Sequence, residues 1–241
     1  MDKAIETILL KTTSIIHEYH NNTYRGSASC FFCENENGEK YIITNKHVIN
    51  GVNRVEIVLT ARDGRIENIP IILGNDVKVH HEYDLCAIPF SRAYSKIQEA
   101  GFPPYVVRIT IPGIIKEFST FNRIQEIYMV GYPKAIYNEG INLPIIQKGI
   151  TATSLCDGYN GKRMFLTDMP VIYGSSGSPI YVIGKEENPY LVGINYGTFV
   201  TEFPVYQTRM YHKKMIGKVK APIPLGLAVR SDVLGDLLSN A

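Results

Sequence analysis

Three short stretches, far apart in the chain, constrain this sequence more than any other feature. Thr44-Asn45-Lys46-His47-Val48 ends an apolar strand-like run, Tyr83-Asp84-Leu85-Cys86-Ala87 begins one, and Gly174-Ser175-Ser176-Gly177-Ser178-Pro179 forms a tight, glycine-flanked turn before another. An imidazole, a carboxylate and a hydroxyl at strand ends are the groups that activate a nucleophile: His47 to take the proton, Asp84 to orient the ring, Ser176 to attack. Unrelated folds built this trio in different chain orders, so the order His, Asp, Ser discriminates between folds.

With that order the chain resembles the chymotrypsin-like (trypsin-like) serine proteases, and within them the HtrA/Deg type, from about Gly26 to Leu238. Leu166-Thr167-Asp168-Met169-Pro170-Val171-Ile172-Tyr173-Gly174-Ser175-Ser176 is similar to that group's nucleophile loop, with the same spacing from Asp to Ser. Gly131-Tyr132-Pro133 with Lys148-Gly149-Ile150 resembles the pair of segments that opens the second barrel. Val192-Gly193-Ile194-Asn195 looks like the strand after the nucleophile, and Gly226-Leu227-Ala228-Val229-Arg230-Ser231-Asp232-Val233 like the last strand and the start of a final helix.

The resemblance implies an all-β fold of two six-stranded antiparallel β-barrels with an N-terminal and a C-terminal helix. It implies a serine endopeptidase acting on protein or peptide substrates, with no metal and no cofactor. The oxyanion hole would be the backbone N–H groups of Gly174 and Ser176, and Asp168 would have a structural task. The primary pocket would be walled by Met169, Pro170, Val171 and Ile172 before the nucleophile and by Ile194, Asn195, Tyr196 and Gly197 on the following strand. No acid lies in those segments, so small or medium apolar side chains are expected there in preference to Lys or Arg. Tyr196-Gly197 would offer the backbone edge on which an extended substrate adds as a strand. Ser178 stands where many relatives have glycine, and serine is small enough to fit. The PDZ module common in the HtrA group is not expected.

At 241 residues and 45% hydrophobic, the chain can bury the cores of two small barrels and one catalytic unit. The expected division is an N-terminal helix over 1–22, a first barrel over 23–115, a crossover and second barrel over 116–229, and a helix over 230–241. The N-terminus has acidic residues and no long apolar run, unlike a secretory signal, and no stretch of about 18 apolar residues could span a membrane. A cytoplasmic location is expected. Cys30, Cys33, Cys86 and Cys156 lie in apolar runs, where a thiol acts as a small hydrophobe. Cys30 and Cys33 have CxxC spacing, but strand residues three apart point to opposite faces, which opposes shared ligation.

A net charge of +2 implies no general attraction to nucleic acid. Locally, Arg209, Lys213, Lys214, Lys218 and Lys220 fall in a stretch without Asp or Glu. The plain reading is a solvated hairpin or loop; the sharper one is a docking surface for an acidic partner.

Ile5, Ile8, Leu9, Thr12, Ile15, Ile16 and Tyr19 recur at helical spacing and predict an amphipathic helix over residues 1 to 20, with His17 and His20 on one face. Beyond it, β-rich runs alternate with turn signals. Asn37-Gly38 should join Ser29–Cys33 to Tyr41–Thr44, and Asp63-Gly64 should join Val55–Thr60 to Ile69–Leu73. A helical excursion is expected around Ala93–Ala100, closure of the first barrel near Ile111 and a crossover from Pro112 to Gln125. The second barrel would use 126–130, 145–153, 164–167, 179–183, 190–196 and 223–229, and Ser231 would cap the final helix.

His80 and His81 are rival bases whose place just before Asp84 favours surface or supporting roles, and Ser175 is a decoy beside Ser176. Two other functions fit the same residues: a catalytically silent module that docks a partner through the basic stretch, and a latent protease whose loop from Asp168 to Tyr173 an activating protein partner must order.

Overall fold

The structure, a computed structural model, describes residues 3–102, 104, 109–110, 117–184, 188–209 and 212–239. Helix α1 (Lys3–Lys11) opens the chain. The first sheet contains β1 (Thr13–His20), β2 (Thr23–Glu34), β3 (Lys40–Thr44), β4 (Arg54–Thr60), β5 (Ile66–Ile72), β6 (Lys78–Val79), β7 (Cys86–Pro89) and β8 (Ile109–Thr110). Its order is β5-β4-β1-β2-β3-β7-β6, with β8 paired in parallel to β2. Helix α2 (Ser91–Glu99) follows β7, where the helical excursion was expected.

The second sheet runs β10-β9-β12-β13-β14-β11, built from β9 (Glu126–Gly131), β10 (Ile145–Ile150), β11 (Met164–Thr167), β12 (Pro179–Ile183), β13 (Pro189–Arg209) and β14 (His212–Arg230). Helix α3 (Val233–Ser239) closes the described chain. Two antiparallel sheets match the expected all-β architecture. Among the described residues neither sheet closes into a ring, and the first has eight strands rather than six. Ile111 and the start of the crossover lie outside the described residues.

The N-terminal helix is the clear correction. It ends at Lys11, where Thr12 N–H donates to the Ile8 carbonyl, and the next segment is a strand. From Thr12 to Ile16 the chain has four β-branched residues, which favour a pleated surface. Strand β1 sits between β2 and β4, with Ile15 and Ile16 both fully buried. A strand covered on both faces needs apolar residues at adjacent positions, and that need mimicked helical spacing. His17 and His20 therefore part company: His17 Nδ1 meets Ser27 Oγ at 2.7 Å, while His20 Nε2 meets Asn21.

Both glycine turns form the predicted hairpins, β2–β3 and β4–β5. One core fills the first sheet around Phe32, Ile42, Val55, Ile57 and Phe90, and another fills the second around Ile127, Phe165, Ile180 and Val192. A third joins them, packing Phe31, Ile43 and Leu85 against Val130, Tyr181 and Ile194 together with Leu9 of α1 and Leu234 of α3. Cys30 belongs to the first of these cores and Cys33 to the third, so the CxxC pair does point to opposite faces. All four cysteines are free, and burial pushes the Cys33 and Cys86 thiols up to about 12.

Strands β13 and β14 run on past the sheet as a two-stranded ribbon that carries the basic stretch. Phe203 faces Val219 across it, and the neighbouring positions pair Glu202 with Lys220 and Pro204 with Lys218. Period-two alternation therefore puts the exposed Phe203 and Val219 on one face and the charges on the other, where Lys218 Nζ reaches Glu202 at 3.1 Å. The hydroxyl of Ser231 donates to the Leu191 carbonyl at 2.7 Å, and its own carbonyl accepts Leu234 N–H at the entry to α3.

Candidate active site

The site forms along the seam of the two sheets. His47 lies in a 3₁₀ turn directly after β3, Asp84 in the turn entering β7, and Ser176 in the turn before β12. His47 Nδ1 lies 2.5 Å from Asp84 Oδ2, and its Nε2 lies 2.9 Å from Ser176 Oγ. The other carboxylate oxygen of Asp84 accepts the His47 backbone N–H at 3.0 Å, so the two residues are joined twice. Burial works to raise the Asp84 pKa, but the hydrogen bonds and charge of His47, with Lys46 nearby, hold it below the usual carboxylate range. An ionised carboxylate is an acceptor only, so it takes Nδ1–H and leaves Nε2 free to accept from the Ser176 hydroxyl.

Several buried residues that the sequence reading did not assign hold this arrangement. Asn45 donates through Nδ2 to the Asp84 carbonyl at 2.7 Å. Ser29 pins the nucleophile turn to the first sheet: its N–H donates to the Ser176 carbonyl and its hydroxyl to the Gly174 carbonyl, both at 2.8 Å, while the same hydroxyl accepts Tyr132 N–H. The available signal in the sequence was a lone polar residue, Ser29, inside the apolar run Ala28–Cys33, and the structure buries it fully.

Two peptide planes of the turn are clamped by their carbonyls. Lys134 N–H donates to the Tyr173 carbonyl at 2.5 Å, and Asn195 Nδ2 donates to the Ser175 carbonyl at 2.8 Å. No described peptide bond is cis, so the N–H of Gly174 and that of Ser176 point away from those clamps. Gly174 has φ +89°, and a Cβ there would meet the Tyr132 carbonyl oxygen and lie 2.7 Å from the Lys134 nitrogen. Gly177 has φ +81°, with Thr44 Oγ1 2.5 Å from where its Cβ would stand. Both positions need the freedom only glycine has.

Ser175 is 1% exposed, with its hydroxyl turned inward, whereas Ser176 reaches the cleft. Asp168 Oδ1 accepts Ile150 N–H at 2.7 Å, tying the loop before the nucleophile to β10. His80, also a rival for base, is buried and bonded to its own turn.

Beside Ser176 opens a cavity of about 360 Å³, lined by Lys134, Val171, Ile172, Tyr173, Gly197, Thr198, Val200 and Pro222. Of the expected wall residues, Val171, Ile172 and Gly197 line it. Met169 and Ile194 are instead core residues, and Asn195 is the carbonyl clamp. Pro170 is exposed and accepts Gln147 Nε2 at its carbonyl, and Tyr196 is half-buried with its hydroxyl on Met164 Sδ. Thr198, Val200 and Pro222 come from the root of the ribbon, whose length the strand pattern did not show. No acid lines the cavity among the described residues. Among the described residues no group of three or more His, Cys, Asp or Glu could hold a metal ion, and no helix is long and apolar enough to cross a membrane.

A family model described as "Trypsin-like peptidase domain" matches residues 28–194, a span that contains all three hydrogen-bonded groups. The chain belongs to the trypsin-like peptidase family. Solved structures similar to this trypsin-like peptidase include the HtrA-type protease AlgW with a tripeptide, at 13% identity and TM-score 0.59, covering 98% of this chain and 62% of that one. The serine endoprotease from Yersinia pestis is similar at 17% identity and TM-score 0.52, over 83% of this chain and 59% of that one. The MamO protease domain from Magnetospirillum magneticum matches at 16% identity and TM-score 0.56, over 96% and 97% of the two chains. These likenesses are of fold. The chain spans about six-tenths of the length of the first two structures. No curated protein matches the sequence significantly.

Proposed function

We propose that this chain is a serine endopeptidase that hydrolyses peptide bonds of protein substrates through an acyl-enzyme, with Ser176 as nucleophile, His47 as general base and acid, and Asp84 as the group orienting the ring. The observation that carries this reading is the unbroken relay from Asp84 Oδ2 through both nitrogens of His47 to Ser176 Oγ. Ser176 Oγ would attack the scissile carbonyl carbon as its proton passes to His47 Nε2. The imidazolium, stabilised by Asp84, then protonates the leaving amine. Water, deprotonated by the same ring, would release the acid and restore the hydroxyl.

The negative oxygen formed on attack needs donors aimed at it. The N–H groups of Gly174 and Ser176 suit that task because their peptide planes are clamped from behind. Gly174→Ala is expected to lower kcat by on the order of 10² to 10³, since the left-handed backbone is lost and with it one donor. Steady-state kinetics on a variant with wild-type circular dichroism checks this, and an unchanged kcat would remove Gly174 from the oxyanion hole.

For the residue on the acyl side of the scissile bond, the cavity beside Ser176 is the natural receptor, with an apolar wall and the cation of Lys134. Cleavage after Val, Leu or Ala should exceed cleavage after Lys or Arg by roughly tenfold or more, because a cation there would be desolvated without a partner. A positional-scanning peptide library reads this directly; strong cleavage after Lys or Arg overturns it.

The silent-module reading has the ribbon, with its exposed Phe203 and Val219, as its surface. A fluorophosphonate probe separates the two: labelling of Ser176 that is lost in Ser176→Ala and His47→Ala supports the peptidase, and an unreactive wild type supports the module. The anchors of the loop from Asp168 to Ser175 support activity without an activating partner. A cytoplasmic site of action is part of the same proposal, supported by four unbridged thiols.

A further inference from the structure

The turn that delivers Asp84 is organised around an imidazole that the mechanism above does not use. His80 is 3% exposed. Its Nδ1 accepts two backbone N–H groups, from Glu82 and Tyr83, each at 3.1 Å. The backbone N–H of His80 donates to the Leu85 carbonyl at 3.0 Å, closing the turn across Asp84, and Leu85 N–H donates to the Tyr83 carbonyl. The ring stacks on His81 with centroids 4.7 Å apart and meets Tyr83 edge-on at 5.2 Å.

We propose that His80 is a positioning residue for catalysis: its neutral ring, accepting at Nδ1, holds the turn that presents the Asp84 carboxylate to His47. The proposal rests on the triad reading, since it acts only through Asp84. Two converging N–H donors require Nδ1 to carry a lone pair, which assigns the ring proton to Nε2. A proton on Nδ1 would set three N–H groups against each other, and both hydrogen bonds would break. Asp84 would then keep Asn45 at its carbonyl but lose the turn that aims its side chain.

The groups facing this ring are known from each element packed against it. Lys78, His81 and Glu82 come from its own segment, Arg163 from the residue just before β11 and Asp236 from α3. Lys78, His81 and Asp236 share with it a cavity of about 220 Å³, and among the described residues neither Lys78 Nζ nor His80 Nε2 has a hydrogen-bond partner. Burial lowers the His80 pKa, and His81 and Arg163 lower it further against the opposing pull of Asp236 and Glu82. With the folded value below the unfolded one, the unfolded chain binds the proton first. The turn's stabilisation is therefore full above the ordinary histidine pKa and is lost as pH falls through the lowered value.

The test is kinetics of the full chain on one peptide substrate. His80→Ala is expected to lower kcat by on the order of 10- to 10²-fold, the scale of a misplaced catalytic group, with KM within about twofold. His80→Asn supplies a side-chain oxygen that accepts from the same N–H groups, as in an Asx turn, and should recover most of that loss. The pH profile separates positioning from plain stability. In the wild type the acid limb of log kcat/KM should be steeper than in His80→Asn, because protonation of His80 releases the Asp84 turn as the pH falls. A wild-type kcat in His80→Ala, no recovery in His80→Asn, or equal slopes in wild type and His80→Asn would each overturn the proposal. If His80→Ala does not fold, the slope comparison decides alone. Ser176→Ala in the same assay distinguishes the two levels. If it is inactive while His80→Ala is unimpaired, only the positioning role fails; if it is active, the catalytic reading fails as well.

Discussion

Ser176→Ala is expected to lower kcat by about 10⁶, because nucleophile and base act as one unit and the residual rate comes from binding and the oxyanion donors alone. His47→Ala should cost about as much, and the double variant little more, since removing either member disables the same step. Nothing else in the turn can take over. Ser175 is adjacent in sequence, but it is buried, and its peptide carbonyl is held by Asn195. Turnover of a peptide substrate by each variant, with thermal melts as the check on folding, measures this. Turnover by Ser176→Ala within a hundredfold of wild type would place the nucleophile elsewhere.

Asp84→Asn is the second large effect, expected at about 10⁴ in kcat. The amide that replaces the carboxylate can donate to Nδ1, and a ring accepting there carries its proton on Nε2. It can no longer accept from Ser176. The loss is therefore one of tautomer, and of stabilisation for the imidazolium, with little change in packing. The backbone supports the distinction: Asn45 holds the Asp84 carbonyl and His80 the turn, whichever side chain stands at 84. The expected outcome is a folded variant with a melting temperature close to wild type and a strongly reduced kcat. A variant of near-normal kcat would show that Asp84 does not set the tautomer.

The parts of the site legible in the sequence were those whose geometry is local. A glycine with positive φ beside a serine, a histidine after an apolar strand and an aspartate before one each carry their backbone shape within a few residues. The hairpins at Asn37-Gly38 and Asp63-Gly64 were legible for the same reason. The misread helix over Thr13–His20 shows the limit of periodicity. Ile15, Ile16 and Tyr19 fit a helical stripe and a doubly covered strand equally, and only the partners β2 and β4 decide between them. Ser231 was legible as a residue before α3, but the Leu191 carbonyl to which its hydroxyl donates was not.

The pocket was the least legible part. Val171, Ile172 and Gly197, named from the sequence, line the cavity beside Ser176; Thr198, Val200 and Pro222 enter because two long strands extend beyond the sheet, and Lys134 because a short turn after β9 folds back onto Tyr173. Met169 and Ile194 were placed in the wall by proximity, yet strand alternation and loop anchoring send them into the core. His80 lay in view as one of a pair of histidines, but nothing in its neighbours' identities told which atoms its ring would receive.

From the sequence alone came the chemical cast of the site, the order of its members and an all-β architecture, because residue type, turn chemistry and strand alternation are properties of short segments. Only the tertiary structure decided that Ser29, Asn195 and Lys134 would clamp the nucleophile turn, which side chains would wall the cavity and that His80 would fasten the Asp84 turn. Each of those depends on where the two sheets and the turns between their strands come to rest, and that placement is set by the packing of the whole core.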